Sequence, residues 1–514
     1  MLNYWWVNRP KRKLNSVPDV LVTFSNAALN QEWNGERDTH LSLESALENA
    51  GLKRIGERRD QTGGGARTYK AWLISLGLIF IQETTGRVRL TLAGEALLNG
   101  ESPVKVLKNQ ILKYQFPSSF SVGRSVNVSP RFKIRPFKFL LRLLSDSSIG
   151  YLTQEEIAKI VIIEAENETD RCYRHVVERV LEFRDRGDAC LESDFFEKYK
   201  PSKGEVNPDR EYGHLLDIAN TIINWLEYTQ LIYREDGKIA ILDAKKDEVR
   251  AIVEDDSPFI DRPNEHEFFQ RKYGLDPSHK KDTRNLSQTQ TVTARVIVDR
   301  TIQQAFIAES LTTPITRIKT ELIDKICERT GAEARVVEET LLRNYPHGAV
   351  SSFMTQYFEM AFKGSDEATE FELATVELFR EVFGFETQHI GPIGLTPDVL
   401  LVSDSDRYVG IIDNKAYAKY SISNDHRNRM VHNYIPTYSN NRYPLAFFSY
   451  IAGGFGAHID TQIQNIVSET NVHGSAIDVS RVIALIEKHS QQPYSLTAIK
   501  DLFSVDRQII LSDL

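Results

Sequence analysis

The chain has 514 residues, of which 41% are hydrophobic and 26% charged, a composition typical of an ordinary soluble protein with two to four domains. Its three cysteines, Cys172, Cys190 and Cys327, lie far apart without CxxC spacing, so neither a zinc site nor a disulfide framework is indicated. There is no apolar run of about 18 residues and no apolar signal region at the N-terminus, so we expect a cytoplasmic protein with no membrane contact.

The formal net charge of −8 conceals an uneven distribution of charge. Residues 1–145 contain 22 lysines and arginines but only 11 acidic residues, so the rest of the chain is strongly acidic. A basic N-terminal third on an acidic body is typical of a protein that binds a polyanion such as nucleic acid at one end. The same charges could also form a solvated surface without a ligand.

Residues 1–125 contain the elements of a winged-helix module. Apolar residues at helical spacing predict helices over 40–52 and 69–76. Apolar runs around a glycine turn then predict a β-hairpin over 78–92, and a further helix begins at residue 93. Helices followed by a short hairpin, the wing, are the pattern of a winged-helix domain.

Basic side chains lie in and beside this module where a DNA backbone could approach. They occupy a glycine-rich loop, the helix after it and the predicted wing: Arg58, Arg59, Arg67, Lys70, Arg87 and Arg89. The loop is not a Walker loop, because no Gly-Lys-Ser/Thr follows the glycines. It could contact phosphates or be a bare surface loop without function.

Residues 126–245 repeat the pattern. Thr153 and Glu156 have the spacing of a capping box, a helix is predicted over 216–226, and two apolar runs predict a second hairpin over 231–242. Lys133 precedes these elements as a further candidate for phosphate contact. Tandem winged-helix modules read DNA in many proteins, and they also serve as plain protein–protein scaffolds.

The predicted linker covers residues 246–345. Its first part, 245–290, is charged, proline-containing and poor in periodicity, which indicates a linker or a loosely packed connector. Helical patterns follow over 320–327 and 333–343. We expect a third domain over 346–514.

The stretch 397–417 has the most distinctive chemical pattern in the chain. Two β-branched runs flank a Ser-Asp-Ser-Asp turn and predict a hairpin. Asp398 precedes the first strand, and Asp413 and Lys415 lie near the end of the second. Because side chains on a strand alternate between faces, Asp413 and Lys415 should point the same way and Asn414 the other way.

Two carboxylates beside an ammonium group suit the hydrolysis of a phosphodiester. Asp398 and Asp413 offer oxygen ligands for Mg²⁺, a hard cation that would activate a bound water. Lys415 could orient that water or stabilise developing charge. Without metal the carboxylates should repel, and one of them should have a raised pKa. The alternative is a structural hairpin with surface charges.

A buried helix is predicted over 370–383, and an extended segment follows over 385–390. The order of helix, strand with Asp, hairpin and strand with Asp-x-Lys resembles the PD-(D/E)xK nucleases. Glu372 and Glu377 lie on the helix as candidates for a further carboxylate.

A closer resemblance covers roughly residues 365–490. These residues resemble the FokI-like cleavage domain of type IIS restriction endonucleases at Val382-Phe-Gly-Phe, Gln388-His389, Pro397-Asp398, Asp413-Asn-Lys-Ala-Tyr417, Gly453-Gly-Phe455 and Gly474-Ser-Ala-Ile-Asp-Val. The N-terminal part, with Trp5-Trp6 and the segment 112–117, resembles the AlwI group of the same class.

The resemblance implies roles for the matching residues. It makes Asp398, Asp413 and Lys415 the catalytic set, with both aspartates binding Mg²⁺. It also implies a helix carboxylate, for which we choose Glu377 over Glu372.

The resemblance further implies a dimer, because FokI-like domains dimerise through a helix that carries an Asp and an Arg. Asp425 and Arg429 match that pattern four residues apart on one predicted helix. An ordinary ion pair within the helix is the alternative.

These inferences define one expectation for fold and function. We expect a multidomain protein of mixed α+β and α/β class, with tandem winged-helix modules before a restriction-endonuclease-like α/β/α nuclease domain. It should cut double-stranded DNA outside its recognition sequence with Mg²⁺, as a transient homodimer or with a second nicking subunit, in a host with a cognate DNA methyltransferase. The alternatives are a strand-specific nicking subunit and a non-catalytic winged-helix regulator.

Overall fold

The computed structural model has a mixed α/β architecture. It describes residues 2–53, 64–99, 101–122, 128–200, 212–235, 237–286, 294–364, 368–391, 396–439 and 442–514. No helix within these ranges is both long and apolar enough to cross a bilayer.

The N-terminal region combines helices with one hairpin. Its elements are α1 (Val17–Ala28), α2 (Arg37–Asn49), α3 (Gly64–Ser75), β1 (Ile79–Ile81), β2 (Val88–Leu90), α4 (Leu92–Leu98) and α5 (Pro103–Leu112). Strands β1 and β2 pair antiparallel with Phe80 opposite Arg89, so the first predicted hairpin is present. The Thr91 side chain accepts a hydrogen bond from the Gly94 N–H and thereby starts α4 directly after the hairpin.

The second region has the same kinds of element. They are α6 (Pro136–Ser145), β3 (Leu152–Thr153), α7 (Gln154–Glu156), a π-helical turn (Ile157–Val161), α8 (Ile162–Glu164), α9 (Asp170–Arg186), a 3₁₀ turn (Gly187–Cys190), α10 (Phe195–Tyr199), α11 (Gly213–Tyr228), β4 (Ile232–Glu235) and β5 (Lys238–Ile241). The antiparallel sheet has the order β3-β5-β4. The predicted capping box is confirmed, because the Thr153 N–H donates to Glu156 Oε2 at 2.7 Å and the Glu156 N–H donates to Thr153 Oγ1 at 3.2 Å.

One hydrophobic core joins these two regions. The fully buried Trp5, Trp72 and Trp225 belong to the same cluster, and Trp5 Nε1 donates to the Ala165 carbonyl at 2.8 Å. The N-terminal strand-like segment therefore packs against the second region. Among the described residues, the two hairpin-containing regions share one hydrophobic core.

The segment expected as a loose linker contributes to that core. It contains a 3₁₀ turn (Asp243–Lys245), α12 (Lys246–Glu254) and α13 (His266–Tyr273). On α13, Phe269 and Tyr273 are buried, and Gln270 Nε2 donates to the carbonyls of Ile74 and Ile79 at 2.8 and 3.0 Å. The prediction of a loosely packed connector is wrong here, because a short helix with few buried residues gives little periodic signal among exposed charges.

A small helical unit follows. Its helices are α14 (Ala294–Ser310), α15 (Thr320–Thr330) and α16 (Ala334–Asn344), with their own core around Phe306 and Leu341. The helical patterns predicted over 320–327 and 333–343 are confirmed. Helix α14 lies on α1, where Arg300 Nη1 donates to the Ser25 carbonyl at 3.1 Å.

The C-terminal region is built around a mixed sheet. Its elements are α17 (Val350–Met360), α18 (Ala368–Glu381), β6 (Glu386–His389), β7 (Val399–Ser403), β8 (Tyr408–Lys415), α19 (Asn424–Arg429), a π-helical turn (Met430–Tyr434), α20 (Ile435–Ser439), β9 (Leu445–Ala452), α21 (Ile459–Thr470), β10 (His473–Asp478), α22 (Val479–Gln491), α23 (Leu496–Phe503), β11 (Arg507–Gln508) and a 3₁₀ turn (Leu511–Asp513). The strand order is β11-β10-β9-β8-β7-β6. Strands β6, β7 and β8 pair antiparallel, and β8 through β11 pair parallel.

Helices cover both faces of this sheet. Ile412 packs with α17, α18, α22 and α23 on one face, whereas Ile411 packs with the π-helical turn, α20 and α21 on the other. The alternation of neighbouring residues between two cores is the consequence of the strand period of two. The catalytic candidates at the end of β8 therefore lie in the central part of a three-layered unit.

The second predicted wing contacts this C-terminal unit. The rings of Tyr233 on β4 and Phe362 stack at 5.9 Å, and Glu235 Oε1 accepts a hydrogen bond from the Ala418 N–H at 3.0 Å. These contacts place β4 of the hairpin against the C-terminal unit.

Candidate active site

The end of β8 separates charged from uncharged side chains. Asp413 and Lys415 lie on the face that packs toward α19–α21, and Asn414 lies on the face of α18, where its Nδ2 donates to Thr375 Oγ1 at 2.7 Å. Gly410 earlier in β8 admits the Phe447 ring, since a Cβ there would lie 2.4 Å from Phe447 Cζ. Strand alternation places the two charged groups side by side on one face of β8.

Asp398 joins them from the neighbouring strand. The Asn414 backbone N–H donates to Asp398 Oδ2 at 2.6 Å, which fixes the carboxyl at the end of β8. Lys415 Nζ lies 2.8 Å from Asp413 Oδ2, with the two side chains 15% and 4% exposed. The hairpin thus brings together two carboxyl groups and one ammonium group in a largely buried position.

Burial and neighbouring charge shift the pKa values here. Burial and then the Asp413 charge are the largest causes that raise the pKa of Asp398 to about 8; Lys415 opposes the shift, and Glu372 contributes to it more weakly. Burial alone would lower the pKa of Lys415, but the Asp413 and Asp398 charges outweigh it and hold that pKa above its ordinary value. Lys415 is therefore a cation at neutral pH in this structure.

The donor set fits a divalent cation with oxygen preference. Two neighbouring carboxylates repel each other, and a bound divalent cation would offset this repulsion and stabilise both as anions. Among the described residues no group of three or more His, Cys, Asp or Glu side chains has the arrangement of a complete metal site. Two carboxylates nevertheless suffice for Mg²⁺, which binds through one or two carboxylates, waters and substrate phosphates.

The structure distinguishes the two glutamates on α18. Glu372 is 14% exposed, it contributes to the raised pKa of Asp398, and its Oε2 lies 2.9 Å from His389 Nε2. Glu377 is 34% exposed and forms an ion pair with Arg380. The choice of Glu377 as the helix carboxylate does not agree with this geometry, because it lies more than one helical turn from Glu372 and pairs with an exposed arginine.

The predicted DNA contacts have different surroundings. Arg58 and Arg59 lie outside the described residues. Arg67 and Lys133 are exposed, and Lys133 Nζ lies 3.4 Å from Asp261 Oδ1. Lys70 and Arg87 are partly buried, and the Lys70 ammonium group lies 5.0 Å from the centre of the Trp33 ring.

Arg89 requires a correction. It is 4% exposed, and its guanidinium donates to Gln82 Oε1 at 3.1 Å, to the Leu286 carbonyl at 3.3 Å and to Asn30 Oδ1. These protein acceptors replace the phosphate contact that the wing pattern predicted. The reason is that β2 lies under the segment around residue 286, so its middle residue is covered.

Asp425 and Arg429 form an ion pair within α19, with Arg429 Nη2 2.8 Å from Asp425 Oδ2. Both side chains are largely exposed, at 65% and 43%. In the single chain the two residues therefore form the ordinary ion pair within one helix that was the alternative to a dimer contact. A contact between two copies through these residues stays a prediction.

Sequence reasoning assigned no role to two residues near the carboxyl groups. His389 on β6 holds Glu372, and Tyr450 on β9 is the Cα partner of Asp413 across the parallel β8–β9 pair. The histidine could have been suspected from its place in the family-like motif. Tyr450 has no local signal, because its position depends on the register between two strands distant in sequence.

Comparison with known proteins gives family matches over both halves. The model of the AlwI restriction endonuclease family matches residues 74–361, more than half of the chain, and the model of the FokI cleavage domain matches residues 331–510. The type II restriction enzyme StsI of Streptococcus sanguinis is 25% identical over 149 residues, which cover 26% of this chain and only 24% of that enzyme. The chain thus matches about a quarter of this curated relative.

Two solved structures are similar at a low level. The restriction endonuclease FokI has 13% identity and a TM-score of 0.29, with 99% of this chain and 100% of that chain covered. The BpuJ1 endonuclease binding domain, solved with modified DNA, has 14% identity and a TM-score of 0.35, with 52% and 96% covered. With scores this low, the assignment rests on the family models.

The family matches place this chain among the restriction endonucleases. It belongs to the AlwI restriction endonuclease family, and its C-terminal region matches the FokI cleavage domain. The resemblance to type IIS enzymes drawn from the sequence motifs is confirmed.

Proposed function

We propose that this protein is an Mg²⁺-dependent, sequence-specific type IIS endonuclease that hydrolyses DNA outside its recognition sequence. The observation that carries the proposal is the buried convergence of Asp398, Asp413 and Lys415, in which Asn414 N–H and Lys415 Nζ each bond one of the carboxyl groups. A structural hairpin has no need of a buried and a half-buried carboxyl group beside a lysine that is 15% exposed, because burying charged groups costs free energy.

Each residue has a distinct role in this proposal. Asp398 and Asp413 would hold Mg²⁺, which when bound supplies charge neutralisation and a more acidic water. Lys415, as a cation, would donate hydrogen bonds to the attacking water or to a phosphate oxygen and stabilise the charge that develops there. The Asn414 N–H keeps the Asp398 carboxyl turned toward the site.

We further propose Glu372 in place of Glu377 as the fourth acidic member. Glu372 is the helix carboxylate whose charge acts on Asp398, and His389 fixes its orientation from β6. A glutamate held in this way can position a second water or cation near the two aspartates. Glu372→Gln should then reduce cleavage strongly, whereas Glu377→Gln should leave cleavage nearly unchanged.

DNA recognition is assigned to the basic N-terminal third. The first hairpin-containing region, which lies in this third, and the second region, which follows it, support tandem winged-helix modules, with exposed Arg67 and Lys133 as phosphate contacts. Because Tyr233 and Glu235 of the second hairpin contact the C-terminal unit, we assign the first region the larger role in reading DNA. The proposed partners are double-stranded DNA and, during double-strand cutting, a second copy or a nicking subunit, with a cognate methyltransferase in the host.

The test is cleavage of a plasmid of known sequence in Mg²⁺, with both cut strands mapped by run-off sequencing. The wild type should cut at a constant distance from one sequence, and Asp413→Asn should abolish cutting while DNA affinity in a gel-shift assay changes little. Asp404→Asn is a matched control, since Asp404 lies in the turn of the same hairpin, where it is half-exposed and pairs with Arg442 at 3.2 Å. Retained cleavage by Asp413→Asn would refute the assignment, and DNA binding without cleavage by the wild type would favour a regulator.

A further inference from the structure

Tyr450 lies beside the proposed metal-binding carboxylate. It is in the middle of β9, where its Cα pairs with that of Asp413 in the parallel β8–β9 ladder. Residues paired in this way project from the same face of the sheet. Accordingly, Tyr450 belongs to the core cluster that also contains Ile411, two residues before Asp413 on the same face of β8.

The Tyr450 hydroxyl has no hydrogen-bond partner among the described residues, although the side chain is 0% exposed. Its aromatic neighbour Tyr420, with a ring centre 5.7 Å away, has its own hydroxyl bonded to His426 Nδ1 at 2.7 Å. The Asp413 charge is the largest contribution after burial to a pKa of Tyr450 well above its ordinary value. The hydroxyl is thus buried without a partner among the described residues, on the face of the sheet that carries Asp413.

An unsatisfied buried hydroxyl is unfavourable, and a phenylalanine would fill the same space without that cost. A tyrosine at this position is therefore suited to donate a hydrogen bond to an acceptor that comes within reach of its hydroxyl. In the metal-free chain, Asp413 Oδ2 is occupied by Lys415 at 2.8 Å. A carboxylate that binds a cation must turn its oxygens toward the cation, and ligating carboxylates are usually fixed by a further hydrogen bond.

We propose that Tyr450 is a positioning residue whose hydroxyl donates a hydrogen bond to the Asp413 carboxylate when that carboxylate holds a divalent cation. The inference rests on the proposed function, because it takes Asp413 as a metal ligand. A tyrosine hydroxyl keeps its proton at neutral pH and can donate this bond. Tyr450 would then set the orientation of Asp413 without touching the substrate.

The experiment measures Mn²⁺ binding to the full chain by electron paramagnetic resonance, together with the melting temperature in EDTA. DNA is absent, so neither measurement depends on cleavage. Tyr450→Phe should raise the Mn²⁺ dissociation constant about 10-fold, the lower end of the effect of removing a group that orients a ligand. Its melting temperature in EDTA should equal or exceed that of the wild type, because no bond is lost in the metal-free state.

Tyr345→Phe is the matched control. Tyr345 is 5% exposed and its hydroxyl is also buried without a partner among the described residues, but it packs in the core of α14–α16. The control should leave Mn²⁺ binding unchanged. An equal loss of Mn²⁺ affinity in both variants would overturn the proposal, because the effect would not be specific to Asp413.

Two further results separate the proposal from the function on which it rests. If the wild type binds Mn²⁺, Asp413→Asn does not, and Tyr450→Phe binds like the wild type, the role of Tyr450 is refuted and the metal site stands. If Asp413→Asn binds Mn²⁺ like the wild type, the metal site itself is refuted. A lower melting temperature of Tyr450→Phe in EDTA would also overturn the proposal, because the hydroxyl would then have a structural partner.

Discussion

Lys415→Met tests most directly how the lysine charge stabilises the carboxyl groups of the site. Methionine keeps most of the length of the lysine side chain but removes the ammonium group that lies 2.8 Å from Asp413 Oδ2. Asp413, which is 4% exposed, is then left as a buried carboxylate without its cation. The change therefore tests whether Lys415 and a divalent cation act on the same pair of carboxyl groups.

The expected loss of stability follows from burial. Removing one partner of a buried ion pair costs about 3–5 kcal/mol, because the other charge stays buried. We expect the lower end, about 3 kcal/mol, because a pKa of about 8 keeps the Asp398 carboxyl mostly protonated at neutral pH and spares it repulsion. For a domain of this size that corresponds to a melting temperature lower by about 6–12 °C.

The assay compares melting of the full chain in EDTA and in Ca²⁺, which should restore part of the loss by neutralising Asp413. Cleavage in Mg²⁺ should fall by at least about 100-fold, the usual effect of losing one charge-stabilising donor. Lys319→Met is the control, since Lys319 forms a pair with Glu381 at 2.6 Å and is 39% exposed. Lys319→Met should lower the free energy of unfolding by less than about 1 kcal/mol, and Ca²⁺ should not change its melting temperature relative to that of the wild type. If the melting temperature of Lys415→Met lies equally far below that of the wild type in EDTA and in Ca²⁺, then Lys415 and the cation do not act on the same carboxyl groups.

Four further predictions concern other parts of the chain. Arg89→Ala should lower the free energy of unfolding by about 3 kcal/mol, because it removes a charged donor and leaves several buried acceptors without a hydrogen bond. Arg67→Ala should weaken DNA binding and reduce the slope of log affinity against log salt concentration by about 1. Anisotropy titrations in a KCl series measure this slope, and an unchanged slope contradicts a phosphate contact. Asp425→Ala combined with Arg429→Ala should leave nicking but abolish double-strand cutting, and untouched double-strand cutting would refute the dimer contact. Burial raises the pKa of the Asp19 carboxyl from 3.8 to about 6, so between these pH values the folded protein binds a proton that the unfolded chain does not, and stability falls as the pH rises through them. Asp19→Asn should remove this pH dependence and raise the free energy of unfolding near neutral pH by about 1–2 kcal/mol. Matching pH–stability profiles of the variant and the wild type would contradict the prediction.

The sequence by itself determined the features that depend on neighbours along the chain. The Thr153–Glu156 capping box, the hairpin of β7 and β8 and helix α18 all formed where the patterns placed them. The separation of Asp413 and Lys415 from Asn414 followed from the period of a strand alone. Such features are predictable because the backbone geometry that creates them spans only a few residues.

The tertiary structure decided which of the candidate residues are exposed and which groups meet. The burial of Arg89 and the packing of α13 into the core depend on contacts between segments about 180–200 residues apart in sequence. No local sequence pattern predicts such burial. The choice of Glu372 over Glu377 depended on the side of α18 that faces β6, where His389 lies. The position of Tyr450 beside Asp413 depended on the β8–β9 register, which is fixed only when the whole sheet packs, because a shift of one residue would turn every side chain of the strand to the opposite face.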